Sequence, residues 1–194
     1  MEKIKGVGIC GSPRKNGNSA TIMKYILDGV KKAGGESKII YLNDFLFKGC
    51  QACKICAKNG KCIIEDTLTP VFDTLFEAKI WVLASPIYYD SISGQMKLFF
   101  DRCRWLTWVD GEMKPRLKGK RRAVIIVTYG DKRERKEYFH EGEKLAYYLS
   151  WMGDFGDVKI ISEGGLMDEK DIYSKPHVLK YAEEIGYKLA KELI

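Results

Sequence analysis

The chain has 194 residues, 45% of them hydrophobic, which is enough for one domain with a sizeable core. It holds no apolar run of the ~18 residues that a membrane-spanning helix needs, and its start, MEKIKGVGIC, lacks the features of a secretory leader. The expected setting is therefore cytoplasmic, with reduced thiols. A net charge of +7, from 33 basic and 26 acidic residues dispersed along the chain, fits a solvated surface, with a preference for anionic partners as the sharper reading.

Residues 4–9 are a short apolar run with glycines, predicted as a buried first strand. The turn-forming stretch from Cys10 to Ser19 opens into a predicted helix over 20–33, with Ile22, Ile26, Leu27 and Val30 at helical spacing and Gly34-Gly35 as its stop. Gly6-Val7-Gly8-Ile9-Cys10-Gly11 matches G-x-G-x-x-G literally, but its first two glycines lie inside the strand, and Pro13 and Asn16-Gly17-Asn18 keep a helix from opening at the third. No G-K-[ST] follows, which removes a Walker loop. What remains is a loop of hydroxyl and amide donors with Arg14, ending at a helix N-terminus capped by Asn18 or Ser19. Such a loop suits one terminal phosphate; an ordinary capped turn is the plainer alternative.

A second strand is predicted over 37–42. Four of the six cysteines, Cys50, Cys53, Cys56 and Cys62, then fall within thirteen residues, spaced C-x2-C-x2-C-x5-C. A zinc site takes its thiolates as two knuckles separated by a dozen or more residues. Thiolates at every third position suit the separated corners of a cubane iron–sulfur cluster, with Cys62 brought back by the Asn59-Gly60 turn. Zinc, and redox-active thiols or a disulfide, are the alternatives. The segment is poor in apolar residues and is expected to be mobile without its metal.

Thr69-Pro70 reads as the cap and first residue of a helix to Ala78, and residues 80–84, IWVLA, as a central strand apolar on both faces. A loop over 85–93, a helix over 94–103, an irregular stretch over 104–120 with Trp105 and Trp108, and a fourth strand over 123–128 follow. A charged loop over 129–138, a helix over 139–152, a fifth strand over 158–162 and a helix over 177–194 complete the pattern. The alternation predicts an α/β fold, a doubly wound five-stranded parallel sheet with helices on both faces. Ligands bind beyond the carboxyl ends of such strands, so the loops after strands one, three and four are the places for chemistry. His140 and His177 lack a nearby acid–base partner in the sequence, and Cys10 and Cys103 read as small buried hydrophobes. Hydrolytic chemistry has no nucleophile–base pair to support it.

Gly11-Ser12-Pro13-Arg14-Lys15-Asn16-Gly17-Asn18-Ser19 resembles the FMN phosphate loop of the NADPH-dependent FMN reductase superfamily. Ser85-Pro86-Ile87-Tyr88-Tyr89, followed by Ser93-Gly94-Gln95-Met96-Lys97 and Phe99-Phe100-Asp101-Arg102, resembles its second flavin loop and the helix after it. With the cysteine motif inserted after strand two, nearly the full length is similar to the iron–sulfur flavoproteins of anaerobic archaea and bacteria.

The resemblance implies a single flavodoxin-like FMN-binding domain with a cluster-binding insertion over 48–66. It implies FMN and a 4Fe–4S cluster, and electron transfer from a ferredoxin-like donor to a further acceptor. On this reading Ser12, Arg14, Asn16, Asn18, Ser19 and Thr21 hold the FMN phosphate. Pro86, Ile87, Tyr88, Tyr89 and Ser93 lie along the ribityl chain and ring, and Cys50, Cys53, Cys56 and Cys62 hold the metal. Where relatives often carry a glycine-rich turn after strand four, this chain has Thr128-Tyr129-Gly130, whose single glycine still permits close approach to the ring. The charged run 131–136 beyond it reads as a solvated loop, with docking of an anionic ferredoxin or of the NADPH 2′-phosphate as the second reading. A homodimer or homotetramer is implied. Direct use of NAD(P)H stays open, and an NAD(P)H-dependent FMN or quinone reductase without a cluster is the alternative function. A zinc-stabilised nucleic-acid-binding module is the remote one, because the basic residues are read as not gathered beside the cysteines and no stacking motif is present. Neither nucleic acid nor membrane is an expected partner.

Overall fold

The computed structural model describes residues 3–193. In chain order the elements are β1 (Lys5–Cys10), α1 (Asn18–Lys32), β2 (Glu36–Tyr41), α2 (Ile55–Asn59), α3 (Val71–Glu77), β3 (Ile80–Tyr88) and β4 (Ser91–Ile92). After these come α4 (Gly94–Arg102), β5 (Trp108–Val109), β6 (Glu112–Met113), β7 (Arg122–Thr128), α5 (Lys136–Ser150), β8 (Lys159–Glu163) and α6 (Pro176–Lys191). Five strands pair in parallel in the order β2-β1-β3-β7-β8, and β4 adds antiparallel to the end of β3. Strand order reverses between β1 and β3, so the crevice for a ligand lies where these two strands end.

The strands alternate strictly between two cores, as a pleated backbone requires. Val7, Ile9, Trp81, Leu83, Ala123, Ile125 and Val127 pack with residues of α3, α4 and α5. Ile80, Val82, Ala84, Val124 and Ile126 pack with residues of α1 and α6 on the other face. Helices α1 and α6 meet backbone to backbone: a Cβ on Gly186 would lie 1.9 Å from the Ile26 carbonyl oxygen, and one on Gly29 would lie 2.1 Å from that of Glu183. The doubly wound parallel sheet expected from the sequence is thus present. Among the described residues no helix is long and apolar enough to cross a membrane.

Several boundaries differ from the sequence reading. β3 continues four residues past Ala84, because Ser85 and Pro86 pair with β7 and Ile87 and Tyr88 turn back onto β4. The turn is Tyr89-Asp90, both at positive φ (47° and 59°), a geometry usually announced by Asn-Gly or Asp-Gly. The stretch read as irregular holds a second hairpin, β5–β6, turning at Asp110-Gly111 with φ of 49° and 84°. α1 opens at Asn18 with Gly17 as its N-cap, so neither Asn18 nor Ser19 is the cap. Pro70, not Thr69, caps α3. α5 begins three residues before the expected start, and α6 is described to Lys191; Ile194, the expected end of the last helix, lies outside the described residues.

Candidate functional site

The loop between β1 and α1 is held from several sides, and the first N–H groups of the helix are left without helical partners. With Gly17 at the cap and the Thr21 N–H bonding the Gly17 carbonyl, the N–H groups of Asn18, Ser19 and Ala20 have no partner within the helix. No acidic residue lies in the first turn, so the positive end of the helix dipole is uncompensated. The Ser12 hydroxyl accepts from the Arg14 N–H at 3.2 Å, and the Gly17 N–H donates to the Arg14 carbonyl at 3.1 Å, a tight turn that a Cβ on Gly17 would crowd at 2.9 Å from the Arg14 Cβ. Asn16 accepts from Lys24 Nζ at 3.0 Å, and Thr21 Oγ1 donates to the Asn16 carbonyl at 3.5 Å.

All six expected phosphate residues thus have side chains already engaged, three of them with partners beyond the loop. Asn18 is buried and donates to the Leu166 and Asp168 carbonyls at 3.3 and 2.7 Å, while its Oδ1 accepts from the Ile172 N–H at 3.0 Å. Arg14 Nη1 donates to the Met167 carbonyl at 3.3 Å, and Ser19 Oγ lies 2.6 Å from Thr128 Oγ1. These contacts bring the first and third predicted loops together. They also introduce the segment after β8, residues 164–172, which sequence reasoning missed and whose signal was Gly164-Gly165, with Gly165 at φ 68°.

The second loop is a hairpin rather than an open loop. Pro86 and Ile87 are half-buried, Tyr88 is exposed, and Tyr89 stands fully in solvent at its tip. It is tied down from α5, where the Tyr138 hydroxyl bonds Asp90 and Glu141 accepts from Ser91 Oγ at 3.0 Å. Ser93 faces inward: its N–H donates to Ser85 Oγ at 2.9 Å, and its own hydroxyl caps α4 by accepting the Met96 N–H at 3.3 Å. A Cβ on Gly11 would lie 2.6 Å from that hydroxyl, so Gly11 lets the two loops pack together. In the third loop Tyr129 is buried edge-on against Tyr138, with centroids 4.8 Å apart, and a Cβ on Gly130 would lie 2.6 Å from Met167 Cε. Gly130 thus admits Met167 closely.

The charged run is largely self-neutralised. Asp131 pairs with Arg133 and Arg135, each at 3.0 Å, and Arg135 also bonds Glu137. Hydrogen bonds from the Arg133 side chain and backbone, and from Arg135, hold the Asp131 carboxyl far below the usual carboxylate range. His140 has a partner after all, Glu143 on the exposed face of α5.

All four clustered cysteines carry free thiols and line one pocket with Ile63, Ile64, Arg102, Arg104 and Trp105. Burial pushes the Cys56 thiol up, and nearby thiolates at Cys62, Cys50 and Cys53 push it further, so the four groups feel one another. The Ala52 N–H donates to Cys50 Sγ at 3.4 Å from a backbone at positive φ (53°), and Lys54 adopts the same left-handed region to open α2. Among the described residues no three His, Cys, Asp or Glu side chains are placed to hold a single metal ion. Arg102 Nε and Trp105 Nε1, on two residues of the pocket wall, are buried donors without an acceptor. A sulfur-rich acceptor fits those donors.

Two arginines outside the motif position this loop. Arg102, at the end of α4 with a fully buried side chain, donates to the Lys48 and Ile64 carbonyls at 2.9 and 3.0 Å and pairs with Asp66 at 2.5 Å. It therefore clamps the entry and exit of the cysteine segment. Arg116 donates to the Cys56, Ala57 and Trp108 carbonyls and joins α2 to the β5–β6 hairpin. Contrary to the sequence reading, cations do gather here, with Lys48, Lys54, Lys58 and Lys61 on the segment and Arg104 on the pocket wall. Cys10 and Cys103 are fully buried, as expected of small hydrophobes.

Comparison with known proteins agrees with this architecture. The chain is 32% identical over 127 residues to an iron–sulfur flavoprotein of Archaeoglobus fulgidus, a match covering 66% of this chain and 56% of that protein. It is 35% identical over 101 residues to an iron–sulfur flavoprotein of Methanocaldococcus jannaschii, covering 52% of each. These matches thus span little more than half the length of the relatives. Among solved structures, an NAD(P)H:quinone oxidoreductase from Methanothermobacter marburgensis superposes with a TM-score of 0.76 at 18% identity, covering 97% of this chain and 100% of that one, which shows the fold. The profile of one family matches residues 4–140, spanning the β1–α1 loop, the cysteine segment and the β3–β4 hairpin, and the chain belongs to that family, the NADPH-dependent FMN reductases.

Proposed function

We propose that this protein is an FMN-dependent oxidoreductase of the electron-transfer type, with a flavodoxin-like FMN-binding domain and a 4Fe–4S site in an insertion over 48–66. It takes electrons from a ferredoxin-like donor and delivers them to a further acceptor. When bound, FMN supplies two-electron and the cluster one-electron chemistry. The observation that carries the cluster is the shared pocket: Cys50, Cys53, Cys56 and Cys62 line it beside two buried donors that lack acceptors. Iron–sulfur flavoproteins among the relatives support the same reading.

On this reading the free N–H groups of residues 18–20 and the 12–17 turn receive the FMN phosphate, while Ser12, Arg14, Asn16, Asn18, Ser19 and Thr21 shape that turn. Pro86, Ile87, Tyr88 and Tyr89 border the ring from the β3–β4 hairpin, Ser93 fixes that hairpin to Gly11, and Thr128, Tyr129 and Gly130 close the third side. The cysteines bind the cluster as thiolates, and the N–H groups of Ala52, Arg102 and Trp105 are available to sulfur.

Anaerobic purification with FMN, iron, sulfide and zinc analysis tests this directly. The expected result is FMN together with about four iron and four sulfide per chain, the content of one 4Fe–4S cluster. Zinc in place of iron removes the cluster. A colourless protein that does not take up added FMN removes the flavin. Bleaching by NADPH or NADH without oxygen decides whether a reduced nicotinamide also serves as donor.

A further inference from the structure

We propose that the solvent face of the cysteine segment is the docking surface for an acidic one-electron carrier protein, and that the charged run 131–136 is not. This rests on the redox role proposed for the thiols. Residues 45–64 contain Lys48, Lys54, Lys58 and Lys61 and no Asp or Glu. All four lysines are exposed, and the fold brings Arg104 against Lys54 and Lys58 around a cavity that Cys56 also lines.

Among the described residues none of these five cations has an ion-pair partner, whereas Lys97, Lys114, Lys144 and Lys175 are each paired with a carboxylate. The nearby acids are Asp110 on the same cavity, Glu65 just beyond the segment, Asp101 beside Cys50 and Arg104 but held by Lys97, Glu112 held by Lys114, and Asp66, which Arg102 neutralises. The surface is therefore a collar of uncompensated positive charge around the thiols. In the rival run, Arg133 and Arg135 are spent on Asp131 and Glu137, which leaves Lys132 and Lys136.

Two further features select a protein over other anions. Cys53 is the exposed thiol, so an external redox centre approaches closest inside the collar. Leu46, Ile55 and Ile63 stand 86%, 39% and 48% exposed among the lysines, which provides dry contact between two proteins. Nucleic acid would call for exposed aromatic rings, but Phe45 and Phe47 in this stretch pack against the core. Lysines ringing a few aliphatic side chains suit a small, transient, electrostatically steered interface.

The test is an equilibrium titration of the holoprotein with an acidic 2Fe–2S ferredoxin at about 20 and 200 mM salt, on either side of strong screening. It compares wild type, K54E/K58E/K61E and K132E/K136E, whose substituted side chains are all exposed. The collar variant is expected to bind at least about tenfold more weakly at low salt and to lose most of the salt dependence, with the run variant within about twofold of wild type. Equal losses in both variants, or none in the collar variant, overturn the proposal. So does a single-stranded oligonucleotide that binds the collar more tightly than the ferredoxin at equal salt. Iron and sulfide analysis of the same sample separates the two ideas. Collar-dependent binding by protein lacking a cluster supports docking and refutes the cluster, and a loaded protein indifferent to the collar refutes docking alone.

Discussion

Replacing Arg102 by Met retains the volume of a fully buried side chain and removes its charge and donors. The Lys48 and Ile64 carbonyls lose their bonds, and Asp66 loses its ion-pair partner. Removing one member of a buried pair costs about 3–5 kcal/mol. Because the Asp66 side chain retains 13% exposure, water relieves part of this, and a loss of about 3 kcal/mol is expected in urea unfolding at neutral pH. Acid gives a second signature. Burial works to raise the Asp66 carboxyl, but the Arg102 and Lys48 hydrogen bonds outweigh it, so the group titrates below its unfolded value. Such a group stabilises the wild type above about pH 4, and that contribution is lost as pH falls through the folded pKa. Without Arg102 burial dominates, the folded pKa moves above the unfolded one, and R102M gains stability relative to wild type as pH falls toward about 4. The double variant R102M/D66N recovers part of the loss, because it no longer buries an unpaired carboxylate. R102M within about 0.5 kcal/mol of wild type, or a double variant less stable than R102M, refutes the reasoning.

Gly186→Ala forces a methyl group onto the Ile26 carbonyl, 1.9 Å away, so α1 and α6 must separate; a loss of at least about 3 kcal/mol, or failure to fold, is expected by circular dichroism. Asn18→Ala removes three bonds to the 166–172 segment and is expected to cost about 2–3 kcal/mol and weaken FMN about tenfold in a fluorescence titration, with an unchanged FMN affinity counting against the loop's role. In metal-free folded protein, iodoacetamide at pH 8 is expected to label Cys50, Cys53, Cys56 and Cys62. Cys10, which burial pushes up to about 11, and Cys103, pushed higher still, remain unlabelled by peptide mass analysis until urea is added.

The five parallel strands were legible because each is a short apolar run bounded by turn formers, and their alternation with helices leaves few topologies. The cysteine spacing was legible for the same reason that it is unusual. The β3–β4 hairpin was not, because Tyr89-Asp90 adopts positive φ at both positions without a glycine, held instead by Tyr138 and Glu141 from α5. The β5–β6 hairpin, in contrast, carries Asp110-Gly111, a legible turn signal inside a stretch read as irregular. The roles of Asn18 and Arg102 were hidden for a different reason. Each acts on backbone far away in sequence, 148–154 and 38–54 residues distant, and nothing local marks such contacts.

The two proposed sites share one strut, α4. At its start Ser93 caps the helix and lies beneath Gly11 of the β1–α1 loop, while bonding Ser85 at the base of the β3–β4 hairpin. At its end Arg102 grips the cysteine segment on both sides. Nine residues separate these functions, about 14 Å at 1.5 Å per residue. The rod is seated by Met96 and Phe99, both fully buried, so neither end moves without disturbing the core. From Cys50 to Cys62 the cysteine segment buries only Ala57, and its place in the fold is supplied by Arg102 and Arg116 rather than by a core of its own. The sheet thus positions the loops proposed to hold the flavin and the helix positions the thiols relative to them, so a change at Arg102 reaches the cysteine loop before it reaches the β1–α1 loop.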